Sequence, residues 1–410
     1  MDVPPLIWVL TVAGIVALLA FDFFVHVRRA HIPTLQEAVI WSSVYVGIAL
    51  CFGSGIFAFG GASPGAEYFA GYLTEKALSV DNLFVFLVIM NSFGVPREDQ
   101  QKVLLFGIAF ALAARTVFIL LGAALINTFA WVFYLFALIL LITAGNMLRP
   151  DRSEEKSADN IMIRMTQRLF HTADYYDRDK LLTLQDGKQT LTPMLLVMVA
   201  IAGTDILFAL DSIPAIFGLT EDVFIVFTAN AFALLGLRQL YFLIDGLLNR
   251  LIFLSYGLAL ILGFIGVKLL LHALHENNVP FINDGDPVPV VEFDTALSLT
   301  VIIAVLGLTV LASLISPRGK AQAVVSAARR DVINYLDPDY TNDLGERSRI
   351  FAKLVAEEQQ IRRFGPKHRR QAKDEKELMD LIARAHRQHD GKEGRSDGSD
   401  ERGSSDKGGG

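Results

Sequence analysis

Four carboxylates stand inside runs of residues that are otherwise apolar. Glu75 and Asp81 lie in GYLTEKALSVDNLFVFLVI (71–89), and Asp205 and Asp211 lie in GTDILFALDSIPAIFGLT (203–220). Carboxylate and carbonyl oxygens are hard ligands that suit Mg²⁺, Ca²⁺ and Mn²⁺. Asn82, Thr204 and Ser212 stand beside them and add neutral oxygens. No Cys or His adjoins these residues, which disfavours zinc and copper. Several carboxylates around one or two cations approach charge balance, so a divalent cation is the natural ligand.

Such residues are costly to keep in a membrane. Each buried charge costs about 2.5–3.5 kcal/mol, and four unpaired ones on the order of 10 kcal/mol. They persist where they bind ions, relay protons or form pairs. The spacing adds a constraint. Glu75 and Asp81 are six residues apart, as are Asp205 and Asp211. Six residues turn an ideal helix by about 600°, which leaves such a pair about 120° apart. One unbroken helix face cannot use both. Either the helices are interrupted, with Gly203 and Pro214 as breaks in the second segment, or Asp81 and Asp205 meet across a pseudo-twofold axis while the others take outer positions.

The elements that hold these residues read as membrane spans. The chain is 52% hydrophobic with 29 Phe, and apolar runs near 20 residues match the hydrocarbon thickness as helices. An all-α polytopic membrane protein of about nine helices is expected. The spans fall near 5–27, 37–60, 67–93, 101–125, 128–148, 191–218, 222–246, 250–273 and 295–316. MDVPPLIWVL lacks a positive n-region, and Arg28 and Arg29 follow the first run, the pattern of an uncleaved anchor. With the N-terminus outside, the loops 28–36, 94–100, 149–190, the turn at Arg250 and the tail are cytoplasmic, and all hold Lys or Arg. The external loops 61–66, 126–127, 219–221 and 274–294 hold none. This bias sets the orientation N-out, C-in.

The domain plan is a transmembrane region over 1–316 and a charged cytoplasmic tail over 317–410. The 149–190 loop, with eight Lys/Arg and eight Asp/Glu, reads as a solvated linker. The tail holds mixed-charge helical stretches such as RSRIFAKLVAEEQQIRR. It ends in GKEGRSDGSDERGSSDKGGG, too polar to bury a core. The single Cys51 excludes an internal disulfide and reads as packing.

An internal repeat sharpens this plan. Asp81-Asn-Leu-Phe aligns with Asp205-Ile-Leu-Phe, and Phe93-Gly94 with Phe217-Gly218, at an offset of 124. Ala109-Phe-Ala-Leu then echoes Ala231-Phe-Ala-Leu, followed by Arg115 and Arg238. The units cover about 67–148 and 191–273, three spans each. An odd number of crossings inverts the second unit, and inverted repeats place a binding site near the midplane at their interface. Structural roles for the charges compete with ligation. Glu75 pairs with Lys76 or sits at the outer interface in one such reading. Arg115 and Arg238 neutralise the aspartates across helices in another. Asp22 is expected to pair with Arg28 or Arg29, while Asp245, His26 and His272 read as interfacial.

The motifs EKALSVDNLFVF (75–86), DILFALDSIPAIF (205–217) and NAFALLGLRQLYF (230–242) resemble the TerC family of integral membrane proteins, named for tellurium resistance. The resemblance spans about residues 35–275. It implies a transporter-like fold related to the LysE superfamily, Mn²⁺ export as the activity, and Glu75, Asp81, Asp205 and Asp211 as metal ligands. The sequence departs from the family at Ala202, where many members carry Glu. That departure bears on metal selectivity and coupling. A carboxylate-rich site repels an oxyanion, which argues against direct tellurite binding.

The expected function is therefore efflux of a divalent cation, Mn²⁺ foremost, by alternating access at the plasma membrane. The competing reading is a membrane scaffold for a stress-response or protein-insertion complex, motivated by the tail. No HExxH and no Cys/His pair suggests an enzyme. The expected partners are the metal ion as substrate and the lipid bilayer, with self-association or a membrane complex open. No nucleic acid and no tightly bound cofactor are expected.

Overall fold

The computed structural model describes residues 3–27, 35–129, 131–148, 182–185, 188–244, 251–276, 282–283, 286–291, 293–336, 344–363 and 378–389. Arg28, Arg29, Asp245, most of the 149–190 loop and the end of the tail lie outside them. Helices dominate: α1 (Pro5–Asp22), α2 (Leu35–Gly60), α3 (Ala62–Ser92), α4 (Arg97–Thr128), α5 (Val132–Met147), α6 (Pro193–Phe217), α7 (Val223–Leu234), α8 (Leu237–Ile244), α9 (Leu254–His275) and α10 (Thr295–Ile315). Beyond them come α11 (Pro317–Leu336), α12 (Leu344–Arg363) and α13 (378–389). A π-turn, Phe23–Val27, extends α1.

The apolar segments are helical, as expected. One small hairpin stands between α5 and α6. Its strands β1 (Leu182–Gln185) and β2 (Lys188–Leu191) pair antiparallel, with Leu182 opposite Leu191 and Gln185 opposite Lys188. Asp186-Gly187 between them is the dipeptide that favours a two-residue hairpin connection.

Among the described residues, seven stretches are helical, long and apolar enough to cross a membrane: Pro5–Val25, Gln36–Gly60, Asp99–Thr128, Pro193–Phe217, Val223–Leu243, Leu254–His275 and Thr295–Ile315. Two further expected spans fall on helices outside that set. α5 is apolar but has only 16 residues. α3 has 31 residues and carries Glu67, Glu75, Lys76 and Asp81 along its length. Burial ranks these elements. The α7–α8 span is 89% buried, against 11% for the α1 span and 17% for α10. α7 is therefore the centre of the bundle, and α1 and α10 lie at its edge.

Start signals fix the ends of the central helices. Pro193 occupies the first turn of α6, where its missing N–H costs nothing. Asp222 caps α7, its Oδ1 accepting from Phe224 N at 2.9 Å and Ile225 N at 3.3 Å. α6 runs through both Gly203 and Pro214 without a break, and α3 is also continuous. The expected interruption at Gly203 or Pro214 is thus corrected. The break falls instead at Leu235–Gly236, where Gly236 takes a φ of +79° and separates α7 from α8. That conformation suits only glycine at low cost.

The main packing pairs are α3 with α7, α4 with α6, and α5 with α9, joined by α3 with α6. α2 lies against α3 and α8. An aromatic-rich core of Tyr45, Tyr68, Tyr72, Phe224, Phe227 and Phe232 fills the space between α2, α3 and α7.

The described residues divide into two compact units, one within 1–244 and 253–310 and one within 245–252 and 311–410. The second has its own core. Ala328, Val332 and Tyr335 of α11, Leu354 and Ile361 of α12, and Leu378, Ile382 and Ala385 of α13 pack together.

Candidate cation site at the helix crossing

The central charged group is Arg115 on α4, which is wholly buried. Its guanidinium pairs with Glu75 of α3 through Nη1, and its Nη2 donates to Asp205 Oδ1 of α6 at 3.3 Å. Glu75 and Asp205 are also buried, at 0% and 2% exposure. Ser79 Oγ donates to Glu75 Oε1 at 3.3 Å, one turn along α3. Two carboxylates against one guanidinium give a formal charge of −2 + 1 = −1.

The remaining oxygens of this group lack partners. Glu75 Oε2 and Asp205 Oδ2 are buried and accept no hydrogen bond, and Arg115 Nε donates none. Thr74 Oγ1, Ser212 Oγ and both side-chain polar atoms of Asn230 are buried in the same condition. Most buried polar groups are hydrogen-bonded, so a set of orphans on four packed helices calls for an explanation. The helix contacts relate them. A Cβ on Gly71 would lie 3.2 Å from Ala229 of α7 and 3.6 Å from Ile216 of α6. Glu75 is one turn beyond Gly71, Ser212 is one turn before Ile216, and Asn230 follows Ala229. α3 and α6 run antiparallel, so Glu75 and Ser212 lie at about the same depth.

The other expected site residues sit on the same helices. Asp81 and Asp211 are half-buried, one on α3 and the other on α6. Asn82 is buried beside Asp81. Thr204 is buried, and its Oγ1 donates back to Ala200 O at 2.7 Å. Glu75 joins Asp205 on Arg115. Among the described residues, no three His, Cys, Asp or Glu side chains stand close enough together to hold one metal ion.

Two charge assignments change. Lys76 does not pair with Glu75; its Nζ donates to Ala233 O at 3.0 Å and Leu235 O at 3.3 Å. Arg238, which aligns with Arg115 in the repeat, reaches Asp22 of α1. Its Nε donates to Oδ2 at 3.0 Å and its Nη2 to Oδ1 at 2.8 Å. Arg238 Nη1 also donates to Gln101 Oε1 at 2.6 Å, and Gln239 Nε2 and Tyr45 Oη donate to Asp22 Oδ1. Asp22 therefore has a partner 216 residues away, in addition to any nearby arginine.

A further polar cluster lies at the end of the bundle that carries the α6–α7 turn. Thr220 Oγ1 donates to Glu67 Oε2 at 2.6 Å, and His272 Nε2 lies 3.1 Å from Glu221 Oε1. The hydrogen bond to His272 holds the Glu221 carboxyl below the usual carboxylate range. These groups, with Asp222 and Lys268, line a cavity of about 360 Å³. His272 also meets the edge of Phe133 with ring centroids 4.9 Å apart. Glu67 and Glu221 carry little signal in the sequence, because each sits near a span end where a charge is ordinary.

The profile of the integral membrane protein TerC family matches residues 61–321. The chain belongs to the TerC family. A Mycobacterium tuberculosis protein described as an uncharacterized membrane protein is 56% identical over 389 residues, covering 94% of this chain and 98% of that protein. A Myxococcus xanthus protein of the same description is 37% identical, covering 77% of this chain and 93% of its own. The Escherichia coli protein named "Putative membrane-bound redox modulator Alx" is 38% identical, covering 65% of this chain and 86% of its own. No solved structure matches the chain.

The TerC match begins at the start of α3. Glu75, Arg115, Asp205 and Arg238 therefore fall within it, while Asp22 on α1 falls outside. Ala202 is buried on α6, three residues before Asp205. A glutamate there would lie about one turn from Asp205 on the same helix.

Proposed function

We propose that this TerC protein exports a divalent metal cation, Mn²⁺ foremost, by alternating access at Glu75, Asp81, Asp205 and Asp211. The observation that carries the reading is the convergence of Glu75 and Asp205 on Arg115, each with one orphaned carboxylate oxygen. Two carboxylates with hydroxyl and amide oxygens nearby form a hard-ligand set suited to Mn²⁺ or Mg²⁺. Arg115 acts as a resident counter-cation. It neutralises part of the charge when the cargo is elsewhere and competes with it for the same oxygens. Asp81 and Asp211, six residues along the same two helices, serve the cargo at outer positions.

Inverted repeats fit this reading. The packing pairs are reciprocal: the first helix of each unit packs on the second of the other, and the third on the third. A pseudo-twofold axis between α3–α5 and α6–α9 would generate that pattern. Nine crossings, with α3 and α5 counted, an N-terminus outside and a tail inside accord with the distribution of Lys and Arg. The whole arrangement belongs in the plasma membrane.

The test is the metal content of cells lacking the gene, measured by mass spectrometry after complementation. The wild-type chain should lower cellular manganese, and Glu75→Gln and Asp205→Asn should leave it high. Unchanged manganese on deletion would remove the basis for export.

The scaffold reading has one observation in its favour: α11–α13 form a core of their own. On that reading, deleting the tail abolishes the stress phenotype while substitution of Glu75 and Asp205 leaves it intact. The name of the Escherichia coli relative suggests a redox role, but the single Cys51 offers no dithiol pair for it.

A further inference from the structure

The break between α7 and α8 leaves backbone oxygens that the helix itself cannot satisfy. The last carbonyls of a helix have no intrahelical N–H partner, and they carry the negative end of its dipole. α7 ends at Leu234, Leu235 turns away with φ −60° and ψ 134°, and Gly236 reverses the chain with φ +79°. Leu235 N still bonds Ala231 O at 3.0 Å, and Leu240 N takes Gly236 O at 3.0 Å. The oxygens of Ala233 and Leu235 instead meet Lys76 Nζ at 3.0 and 3.3 Å. Among the described residues, no carboxylate lies within ion-pair distance of this ammonium. Glu75, its neighbour on α3, is taken by Arg115.

Neutral carbonyls converging at the end of a broken helix inside a membrane protein are the ligand set of a monovalent cation such as Na⁺. We propose that the α7–α8 break is a monovalent-cation site whose resident cation is the chain's own Lys76 ammonium. The tether makes the break independent of any dissolved ion. It also ties α3 to the point where α8, with Arg238 and Gln239, departs from α7. Removal of the ammonium opens the place to Na⁺ or K⁺. None of this depends on metal export.

Thermal unfolding of the purified full chain tests it, in NaCl, KCl and choline chloride at equal ionic strength. The wild-type Tm should be the same in all three. Lys76→Ala should unfold several degrees lower in choline, and Na⁺ or K⁺ should restore the loss along a saturating titration. Lys76→Met fills the volume without the charge, so it should be destabilised with no response to Na⁺ or K⁺. An equal loss in all salts for Lys76→Ala would reduce Lys76 to a structural clamp and overturn the proposal. So would a wild-type Tm that itself rises with Na⁺, or an unchanged Lys76→Ala. Failure of Lys76→Ala to fold in any of the salts also counts against it, because the substituting cation was present.

Discussion

Arg115 stands between two buried carboxylates, and its removal has an energetic consequence. Breaking a buried pair by deleting one partner costs about 3–5 kcal/mol, because the charge left behind is uncompensated. Arg115→Met leaves Glu75 and Asp205 facing each other without a cation. We expect a stability loss of about that size, and a partial recovery when Glu75→Gln is added, since the double variant buries one charge fewer. Thermal unfolding of the four proteins of this cycle measures the coupling. Additive effects would mean that Arg115 and Glu75 do not interact as described. Glu75 and Asp205 are visible in the sequence because a charge within an apolar run stands out. Arg115 stands out as well, as a cation to neutralise aspartates across helices, but its pairing with Glu75, 40 residues away, leaves no mark. Lys76 is harder still. Its acceptors are backbone oxygens, which leave no mark in a sequence.

At the scale of elements, hydropathy locates the helices well, because a span must be apolar over its length. It cannot locate the break in the 222–246 run. α7 and α8 are both apolar enough to read as one span, and tertiary contacts with Lys76 and Tyr45 support the interruption. The signal available is Gly236 in NAFALLGLRQLYF. Gly203 and Pro214 are the more conspicuous breakers, yet α6 runs through both: Pro214 forgoes the one N–H bond it would have given to Leu210 O, and the helix continues to Phe217. The break yields a prediction. Gly236→Ala places a Cβ 2.8 Å from the Cβ of Tyr45 and forces a left-handed φ on alanine. It should cost about 1–3 kcal/mol. Gly55→Ala on α2 meets nothing within 4 Å, so it should fall within about 0.5 kcal/mol of wild type. Equal effects of the two substitutions on Tm would show that Gly236 holds no special conformation.

Across the whole molecule, a polar centre is held inside an apolar shell, and a separate helical unit is held by its own contacts. In that unit Phe351 stacks on His389 at 3.8 Å, and Glu358 meets both His386 at 2.9 Å and Arg362 at 2.6 Å. Burial pushes the Glu358 carboxyl up, but the hydrogen bonds from His386 and Arg362 outweigh it and hold it below the usual carboxylate range. A carboxyl lowered in the folded state stabilises fully at neutral pH. That contribution is lost as pH falls below about 4.3, through the folded value. Hydrogen-exchange protection factors over 344–363 and 378–389 in the full chain should therefore drop in acid, and drop less in Glu358→Gln. The same acid profile in both proteins would contradict the assignment. The sequence foretells helices in the tail but no core for them. Their apolar residues are spaced among charges and become a core only when three segments meet.

The proposed role of Glu75 and Asp205, joined at Arg115, is the handling of a divalent cation. Uptake of radioactive Mn²⁺ into proteoliposomes holding the purified chain tests that role without the complications of a cell. The wild-type chain should carry Mn²⁺ well above empty liposomes, and folded Glu75→Gln and Asp205→Asn should fall to the level of empty liposomes. No uptake by the wild type, or undiminished uptake by both variants, would contradict it.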